Sequence, residues 1–281
     1  MKLVRFGEKN YEKPGLIDPE GSIRDLSDYC ADFYHHGVSL NSLEKIINID
    51  YRQLPHVPRS IRLGSCLADA PNFYCIGLNY AKHAQETGDD LPTEPIIFSK
   101  ATSAISGPYD EVIIPKGSKK TDWEVELGVV IGENCLHVPE EEALEVISGY
   151  CVINDVSERS FQFDHGGQWI KGKSAPTFGP IGPFLVTKDD IPDPQNLNLS
   201  LKLNGTTVQS SNTSDMIFTV RQIIAYLTSF LELRVGDIIA TGTPEGVGIG
   251  MKPPVFLKVG DIMEVEIEHL GIQKQEVVAF T

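Results

Sequence analysis

Short apolar runs separated by proline and glycine turns dominate the pattern of hydrophobic and polar positions along this chain. At the start, "KLVRF" alternates apolar with polar residues, and "KPGLIDPEGSIRDLS" has strand-like runs around an Asp-Pro-Glu-Gly turn, which predicts a small β-rich unit. Strands are also predicted for "PIIFSK", "EVIIP", "WEVELGVVIG", "GYCVIND", "GPFLVT", "LNLSLKLNG", "GDIIATG", "IMEVEIEHL" and "QKQEVVAF". Strands this dense without regularly alternating helices predict a β-rich α+β fold and argue against a doubly wound sheet.

Helix signals are fewer than strand signals. In "SLNSLEKIINID", Asn41 is expected to cap a helix whose first acidic residue follows three positions later. The apolar face of that helix is Leu43, Ile46 and Ile47. A second helix is predicted for "PEEEALEVI", which has proline in its first turn and acidic residues near its start. The third is "TVRQIIAYLTSFLEL", whose apolar residues at helical spacing are Ile223, Ile224, Leu227 and Phe230.

A change of pattern near residue 70 predicts a domain boundary. The loop "YRQLPHVPRSIRLGS" is rich in proline and arginine, and "NFYCIGLN" then begins a new strand-like run. We therefore predict a small N-terminal β-rich domain over residues 1–70 and a larger domain over residues 71–281.

Composition indicates a folded globular chain of 281 residues, 41% apolar and 22% charged. Its formal net charge is -15 and no basic stripe is present to neutralise a phosphate backbone, so we expect no nucleic-acid partner. The start lacks the apolar core of a secretion signal, and no stretch reaches the ~18 consecutive apolar residues of a membrane span. Five widely spaced cysteines without a C-x-x-C pair argue against a disulfide framework or a structural zinc site. We expect a cytoplasmic protein with no membrane partner.

Two glutamates stand in the otherwise apolar run "TDWEVELGVVIG". Side chains on a strand alternate between faces, so Glu124 and Glu126 point the same way with Cα atoms roughly 7 Å apart. At an effective dielectric constant of about 20, their repulsion is on the order of 2 kcal/mol. A solvated edge face is the ordinary setting for such a pair, but the apolar run "LGVVIG" indicates a strand covered on both sides. A cation bound between the two carboxylates would relieve the repulsion.

A third carboxylate follows another apolar strand. "GYCVINDVSER" ends its apolar run at Asp155, and strand ends are where a rigid sheet presents side chains to a cleft. If this carboxylate converges with the two glutamates, an all-oxygen ligand set without cysteine favours Mg²⁺ or Mn²⁺ over Zn²⁺, with Ca²⁺ as a substitute in a crystal. The sequence does not show whether the three converge.

The segment "GLNYAKHAQETG" predicts a short helix that is capped at Asn79 and ends at Gly88. His83 and Glu86 would then lie on one face, where the carboxylate fixes the imidazole tautomer and supports a general base. The same spacing is common on solvated helices, so a surface pair is the alternative.

Two glycine-rich segments raise further possibilities. "DHGGQWIKGKSAPTFGP" is typical of a mobile lid, and Lys171 or Lys173 within it could meet a developing anion, unless both are ordinary solvent-exposed lysines. "TGTPEGVGIGMKPP" lacks the Gly-Lys-Ser/Thr of a phosphate loop, and prolines follow where a helix would begin, so we reject nucleotide binding.

Taken in order, "GLNYAKHAQE", "FSKATSAISGP", "TDWEVELGVVIG", "INDVSERSFQ", "KGKSAPTFGP" and "ATGTPEGVG" resemble the fumarylacetoacetate hydrolase family from about residue 70 to the C-terminus. The "GGQWIKGKS" loop is most similar to the branch labelled 2,4-diketo-3-deoxy-sugar-acid hydrolase or ureidoglycolate lyase. The resemblance implies a mixed β-roll, usually a homodimer, with a small N-terminal β-rich appendage. It also implies that Glu124, Glu126 and Asp155 are the ligands of Mg²⁺ or Mn²⁺.

The same resemblance implies roles for the other polar residues of the motifs. His83 and Glu86 match the water-activating dyad of the family, and Lys173 matches its oxyanion-stabilising lysine. The positions of its substrate-contacting residues are occupied by Lys100, Arg159, Gln162 and Thr241. Pro176 departs from the acidic residue often found there, which bears on substrate choice since it adjoins the lid.

The reaction implied is hydrolytic C–C cleavage of a 2,4-diketo acid, an acylpyruvate or a 2,4-diketo-3-deoxy sugar acid, with release of pyruvate. Ureidoglycolate lyase, oxaloacetate decarboxylase and isomerase activities on the same metal site stay open, and a non-catalytic metal-binding or sugar-acid-binding protein is the remaining alternative. Decarboxylation and isomerisation need no attacking water, so the pair of His83 and Glu86 favours hydrolysis.

Overall fold

The computed structural model describes all 281 residues and confirms a β-rich α+β fold. The N-terminal strands are β1 (Lys2–Phe6), β2 (Lys13–Ile17), β3 (Ile23–Asp25) and β4 (His56–Val57). They are followed by β5 (Phe73–Gly77), β6 (Ile96–Lys100), β7 (Ile105–Ser106), β8 (Val112–Ile114), β9 (Thr121–Asp122), β10 (Val125–Ile131), β11 (Ile147–Asn154) and β12 (Ser157–Glu158). The last strands are β13 (Gly179–Thr187), β14 (Asn198–Leu203), β15 (Thr206–Asn212), β16 (Ile238–Ala240), β17 (Ile262–Ile267) and β18 (Gly271–Ala279). The helices are α1 (Leu40–Ile47), α2 (Ala81–Thr87), α3 (Arg159–Phe163), α4 (Ile170–Lys173) and α5 (Val220–Thr228).

Most strands belong to one large mixed sheet. Its order is β4-β3-β2-β1-β13-β11-β10-β16-β5-β6, with β7 paired to β13. A second sheet, β15-β14-β17-β18-β8, packs against β10, β11 and β13. The main apolar core fills the space between the two sheets and the buried face of α5. The central strands are therefore covered on both sides, which explains why β10 and β11 are buried along their whole length.

The N-terminal strands extend the large sheet. β1 pairs with β13 in the register Lys2 to Val186 and Leu3 to Leu185, and a second apolar cluster lies between the N-terminal segment and the sheet. Residues 1–70 hold these four strands together with α1 and two 3₁₀ turns. Whether a boundary near residue 70 separates two independently folding units stays a prediction.

Three helix predictions need correction. Ser39, not Asn41, caps α1, since its hydroxyl accepts the backbone N–H of Ser42; Ile47 at the helix end is exposed. "PEEEALEVI" forms only a short 3₁₀ turn, because β11 already begins at Ile147. α5 ends at Thr228, which leaves Phe230 exposed beyond the apolar face.

The helix that carries the dyad also begins differently from the prediction. Asn79 does not cap α2, because its amide donates to the carbonyls of Phe218 and Thr241 and so ties together three chain segments. Gly88 does end α2, in the left-handed conformation. None of the helices has the length and apolar character that a bilayer-spanning segment requires.

Candidate active site

Three buried carboxylates converge where β10 and β11 lie side by side. Glu126 stands in β10, Glu124 directly precedes that strand, and Asp155 directly follows β11. The antiparallel register pairs Val125 with Asn154, and the Asp155 N–H donates to the Glu124 carbonyl at 2.9 Å. Oxygen atoms from the three carboxylates lie within 4.8 Å of one another. The convergence that the sequence left open is therefore present.

Buried cations surround two of the three carboxylates. Lys173 Nζ donates to Glu124 Oε2 and to Asp155 Oδ2, both at 2.7 Å. Arg159 donates to Glu124 Oε1 at 2.7 Å, and Lys100 donates to Asp155 Oδ1. Burial alone would raise the pKa of Glu124, but Lys173 and Arg159 outweigh it and hold that pKa well below its usual range. Burial would likewise lower the pKa of Lys173, but Asp155 and Glu124 raise it, so the ammonium stays charged.

Glu126 has no cationic partner of its own. Its Oε2 accepts the backbone N–H of Gly242 at 2.8 Å. Burial and the neighbouring charges of Asp155 and Glu124 raise its pKa well above the ordinary value. A buried, all-oxygen set with one uncompensated carboxylate fits a hard divalent cation, because such a cation would replace the proton that burial favours on Glu126.

His83 and Glu86 form the predicted pair on α2. His83 Nδ1 lies 3.1 Å from Glu86 Oε1, and the Glu86 carboxylate also accepts the backbone N–H of Gly246 at 3.0 Å. An ionised carboxylate only accepts hydrogen bonds, so Nδ1 carries the proton and Nε2 is left as the basic nitrogen. Gly246 has φ +97°, and a Cβ there would lie 1.9 Å from the Val208 carbonyl oxygen, so only glycine fits this contact.

A cavity of about 320 Å³ joins the dyad to the carboxylates. The predicted site residues that line it are His83, Glu86, Glu124, Glu126, Arg159, Gln162 and Lys173. Asp155, Lys100 and Thr241 lie behind this wall and are fully or almost fully buried. The Thr241 hydroxyl donates to the Leu127 carbonyl and Lys100 binds Asp155. Substrate contact by Lys100 and Thr241 stays a prediction.

The two lysines of the glycine-rich segment lie in different environments, a difference that the sequence did not reveal. Lys173 lies at the end of α4 and is buried in the site, whereas Lys171 is exposed and donates to the His165 carbonyl. Trp169 precedes α4, and its ring packs edge-on against Phe98 with centroids 5.2 Å apart. A Cβ at Gly77 would lie 2.5 Å from the Trp169 ring, so Gly77 lets the indole approach the sheet.

Asp122 is an important residue that sequence reasoning missed. Its carboxylate accepts Arg159 Nε at 2.9 Å and the backbone N–H groups of Gly248 and Ile249 at 2.7 and 3.0 Å. It therefore fixes both Arg159 and the glycine-rich loop that follows β16. Its place in "TDWEVE", two residues before Glu124, was the only signal available.

The family model described as fumarylacetoacetate (FAA) hydrolase C-terminal matches residues 72–278. This match spans most of the chain, so the protein belongs to the fumarylacetoacetate hydrolase family. A protein of Burkholderia lata, described provisionally as a hydrolase, is 53% identical over 276 residues, with 98% of each chain covered. Members of this family include hydrolases and isomerases.

Solved structures show the same fold over the whole chain. The fumarylacetoacetate hydrolase of Exiguobacterium antarcticum is 34% identical with a TM-score of 0.87, and both chains are covered completely. A probable 2-hydroxyhepta-2,4-diene-1,7-dioate isomerase of Mycobacterium abscessus is 29% identical with a TM-score of 0.86 and complete coverage of both chains. The maleylpyruvate hydrolase of a Sphingobium species, in complex with manganese(II) and pyruvate, is 28% identical with a TM-score of 0.82 and equal coverage.

Proposed function

We propose that the protein is a divalent-metal-dependent hydrolase that cleaves the C3–C4 bond of a 2,4-diketo acid and releases pyruvate. The observation that carries this proposal is one cavity lined by Glu124 and Glu126 of the carboxylate centre and by the dyad of His83 and Glu86. The manganese and pyruvate in the structure of the similar maleylpyruvate hydrolase support the same assignment.

Glu124, Glu126 and Asp155 would hold the metal, with Mg²⁺ or Mn²⁺ as the candidates that their oxygen ligands favour. When bound, the ion supplies Lewis-acid polarisation for the oxygens of the 2-oxo acid end of the substrate. The protein holds these ligands rigidly, because Arg159 and Lys173 fix Glu124 while Gly242 fixes Glu126.

His83 acts as the general base. Its Nε2 takes a proton from water while the water oxygen bonds to C4, and Glu86 holds the imidazolium that results. The C3–C4 bond then breaks, its electron pair stays with the C3 fragment, and a proton returned to C3 completes pyruvate. Water is consumed once, and the C4 fragment leaves as a carboxylate. Gly246 keeps Glu86 in place throughout, since both carboxylate oxygens accept its N–H.

Lys173 supplies positive charge where the C4 oxygen becomes an anion. Its pKa is raised because Asp155 and Glu124 outweigh the effect of burial, so the ammonium stays protonated at neutral pH. A preorganised charge in a largely enclosed cavity stabilises such an oxyanion more strongly than a hydrated lysine would.

An isomerase is the second candidate function, and the similarity to the M. abscessus protein described as a probable dioate isomerase favours it. Isomerisation moves a proton within the substrate and needs no attacking water, so of the two reactions only hydrolysis requires a dyad that activates water. Ureidoglycolate and oxaloacetate are the test substrates for the lyase and decarboxylase alternatives.

The experiment is a substrate panel with purified protein, with and without added Mg²⁺ or Mn²⁺. The panel contains acylpyruvates, a 2,4-diketo-3-deoxy sugar acid, oxaloacetate, ureidoglycolate and an unsaturated dioate, and it monitors pyruvate, glyoxylate, CO₂ and diketo absorbance. Metal-dependent pyruvate release from the diketo acids alone supports the proposal. Turnover only of oxaloacetate, ureidoglycolate or the dioate would replace it, and binding without any turnover would indicate a non-catalytic protein.

A further inference from the structure

The cationic side chains of the cavity are already paired with carboxylates of the protein. Lys173 and Arg159 are the lysine and the arginine among the lining residues. Lys173 binds Glu124 and Asp155, and Arg159 bridges Glu124 and Asp122 at 2.7 and 2.8 Å. In the proposed reaction Lys173 serves the C4 oxygen, and Arg159 is held between two carboxylates of the protein. Apart from the metal centre, the lining therefore offers no further lysine or arginine to receive a second carboxylate at the far end of a substrate.

Much of the remaining wall is apolar. The apolar lining residues are Ile76, Leu78, Phe98, Phe163, Trp169 and Ile249. A carboxylate that is moved from water to such a surface loses its hydration and gains no ion pair, which weakens binding strongly. An uncharged acyl chain gains from the same contact, because apolar area is removed from water.

Asp89 adds a negative charge to the cavity rim. It follows the end of α2, its backbone N–H donates to the Ala84 carbonyl at 2.9 Å, and its Oδ2 accepts the Thr87 hydroxyl at 2.6 Å. Both Asp89 and Thr87 line the cavity. The rim next to the dyad therefore presents a held carboxylate to an incoming substrate.

We propose that this cavity selects 2-oxo acids with a single carboxylate and an uncharged far end, and that Asp89 disfavours substrates with a second carboxylate. The proposal rests on the proposed function to the extent that the carboxylate centre holds the 2-oxo acid end. A like charge opposite Asp89 in a partly hydrated cavity reduces affinity by roughly tenfold.

Butyrylpyruvate and succinylpyruvate form a matched pair for the test, because they differ only in whether the far end is a methyl group or a carboxylate. We expect kcat/KM for butyrylpyruvate to exceed that for succinylpyruvate by at least about tenfold. The ratio should shrink as ionic strength rises, since salt screens the rim charge. Equal turnover of the two, or preference for succinylpyruvate, would overturn the proposal.

A pair of rim variants isolates the charge of Asp89. Asp89→Asn should narrow the ratio of the two kcat/KM values several-fold by raising the value for succinylpyruvate. Asp90→Asn is the control, because Asp90 is an exposed neighbour that does not line the cavity. If the ratio of the two kcat/KM values is unchanged in Asp89→Asn, or changes equally in Asp90→Asn, Asp89 does not select against a second carboxylate.

Equilibrium binding separates this inference from the proposed reaction. 2-Oxoheptanoate and 2-oxoheptanedioate lack the 4-oxo group and cannot be cleaved as diketo acids, so calorimetry with Mn²⁺ measures charge selection without turnover. Tighter binding of 2-oxoheptanoate supports the inference even if neither acylpyruvate is cleaved. The absence of cleavage would contradict only the proposed function. Equal or tighter binding of the dioate overturns the inference, whatever the activity.

Discussion

The ammonium group of Lys173 lies 2.7 Å from Oδ2 of Asp155, and both side chains are buried. This contact joins α4 to the end of β11, so α4 is part of the same ion network as the candidate metal ligands. Lys100, at the end of β6, donates to the other oxygen of Asp155. Asp155 is thus held by protein cations on both oxygens.

Replacing Lys100 tests whether it supports Asp155 or contacts substrate. Lys100→Met should lower the free energy of unfolding by about 3 kcal/mol, because one partner of a buried ion pair is lost while the Asp155 carboxylate remains. Urea denaturation measures this loss, and Lys116→Met, at an exposed position, is the control. Full stability together with a large rise in KM would instead assign Lys100 to substrate binding.

Replacing Glu126 tests metal binding with little change to the rest of the site, because the Glu126 side chain bonds only to the Gly242 N–H. Glu126→Gln keeps the acceptor for the Gly242 N–H but removes the charge, so Mn²⁺ affinity should fall about 100-fold or more and turnover of acylpyruvates should be lost. Mn²⁺ should raise the melting temperature of the unchanged protein, and this rise should vanish in the variant. Glu133→Gln, at an exposed position just beyond the same strand, should behave like the unchanged protein. Full metal-dependent activity in Glu126→Gln would refute the assignment.

The raised pKa of Glu126 predicts a pH-dependent metal affinity. Burial, Asp155 and Glu124 raise this pKa in the metal-free protein, so the folded state keeps a proton that the unfolded state loses above pH ~4.3. The metal-free protein should therefore lose stability as the pH rises from that value towards the folded pKa. Mn²⁺ binds the ionised carboxylate, so binding should release protons within the same window and weaken as the pH falls. Calorimetry in buffers of different ionisation enthalpy counts these protons, and a count of zero throughout the window would contradict the raised pKa.

His83 should be required for turnover but not for metal binding. His83→Ala removes the proposed base, and kcat should fall by about 10² to 10⁴ while Mn²⁺ affinity changes little. His56→Ala, at an exposed histidine of the N-terminal segment, is the matched control. An unchanged rate in His83→Ala would exclude the dyad from the mechanism.

Sequence periodicity predicted the strands of this fold well, because the apolar residues within a strand show which of its faces are buried. Glu124 and Glu126 were placed on one face by the period of two alone, and the structure keeps them together. The approach of Asp155 depends instead on the register between β10 and β11, which no local pattern contains. The segment "PEEEALEVI" did not form the predicted helix, although Glu, Ala and Leu favour helices, because its last residue, Ile147, already pairs in β11 and tertiary structure overrides local propensity.

The polar supports of the site were the least predictable part. Asp122 bonds to Arg159 and Gly248, which lie far along the chain, so only the folded arrangement reveals its importance. The choice between Lys171 and Lys173 likewise depends on the turn of α4, which points one lysine into the site and leaves the other in solvent.

The stoichiometry of products from a single acylpyruvate tests the proposed C–C hydrolysis most directly. Butyrylpyruvate would be incubated with the Mn²⁺-loaded protein, and NMR would quantify substrate, pyruvate and butyrate in the same sample. We expect one pyruvate and one butyrate for each molecule consumed, and both products should be lost in His83→Ala. Substrate loss that yields an isomer or CO₂ in place of pyruvate and butyrate would contradict this expectation.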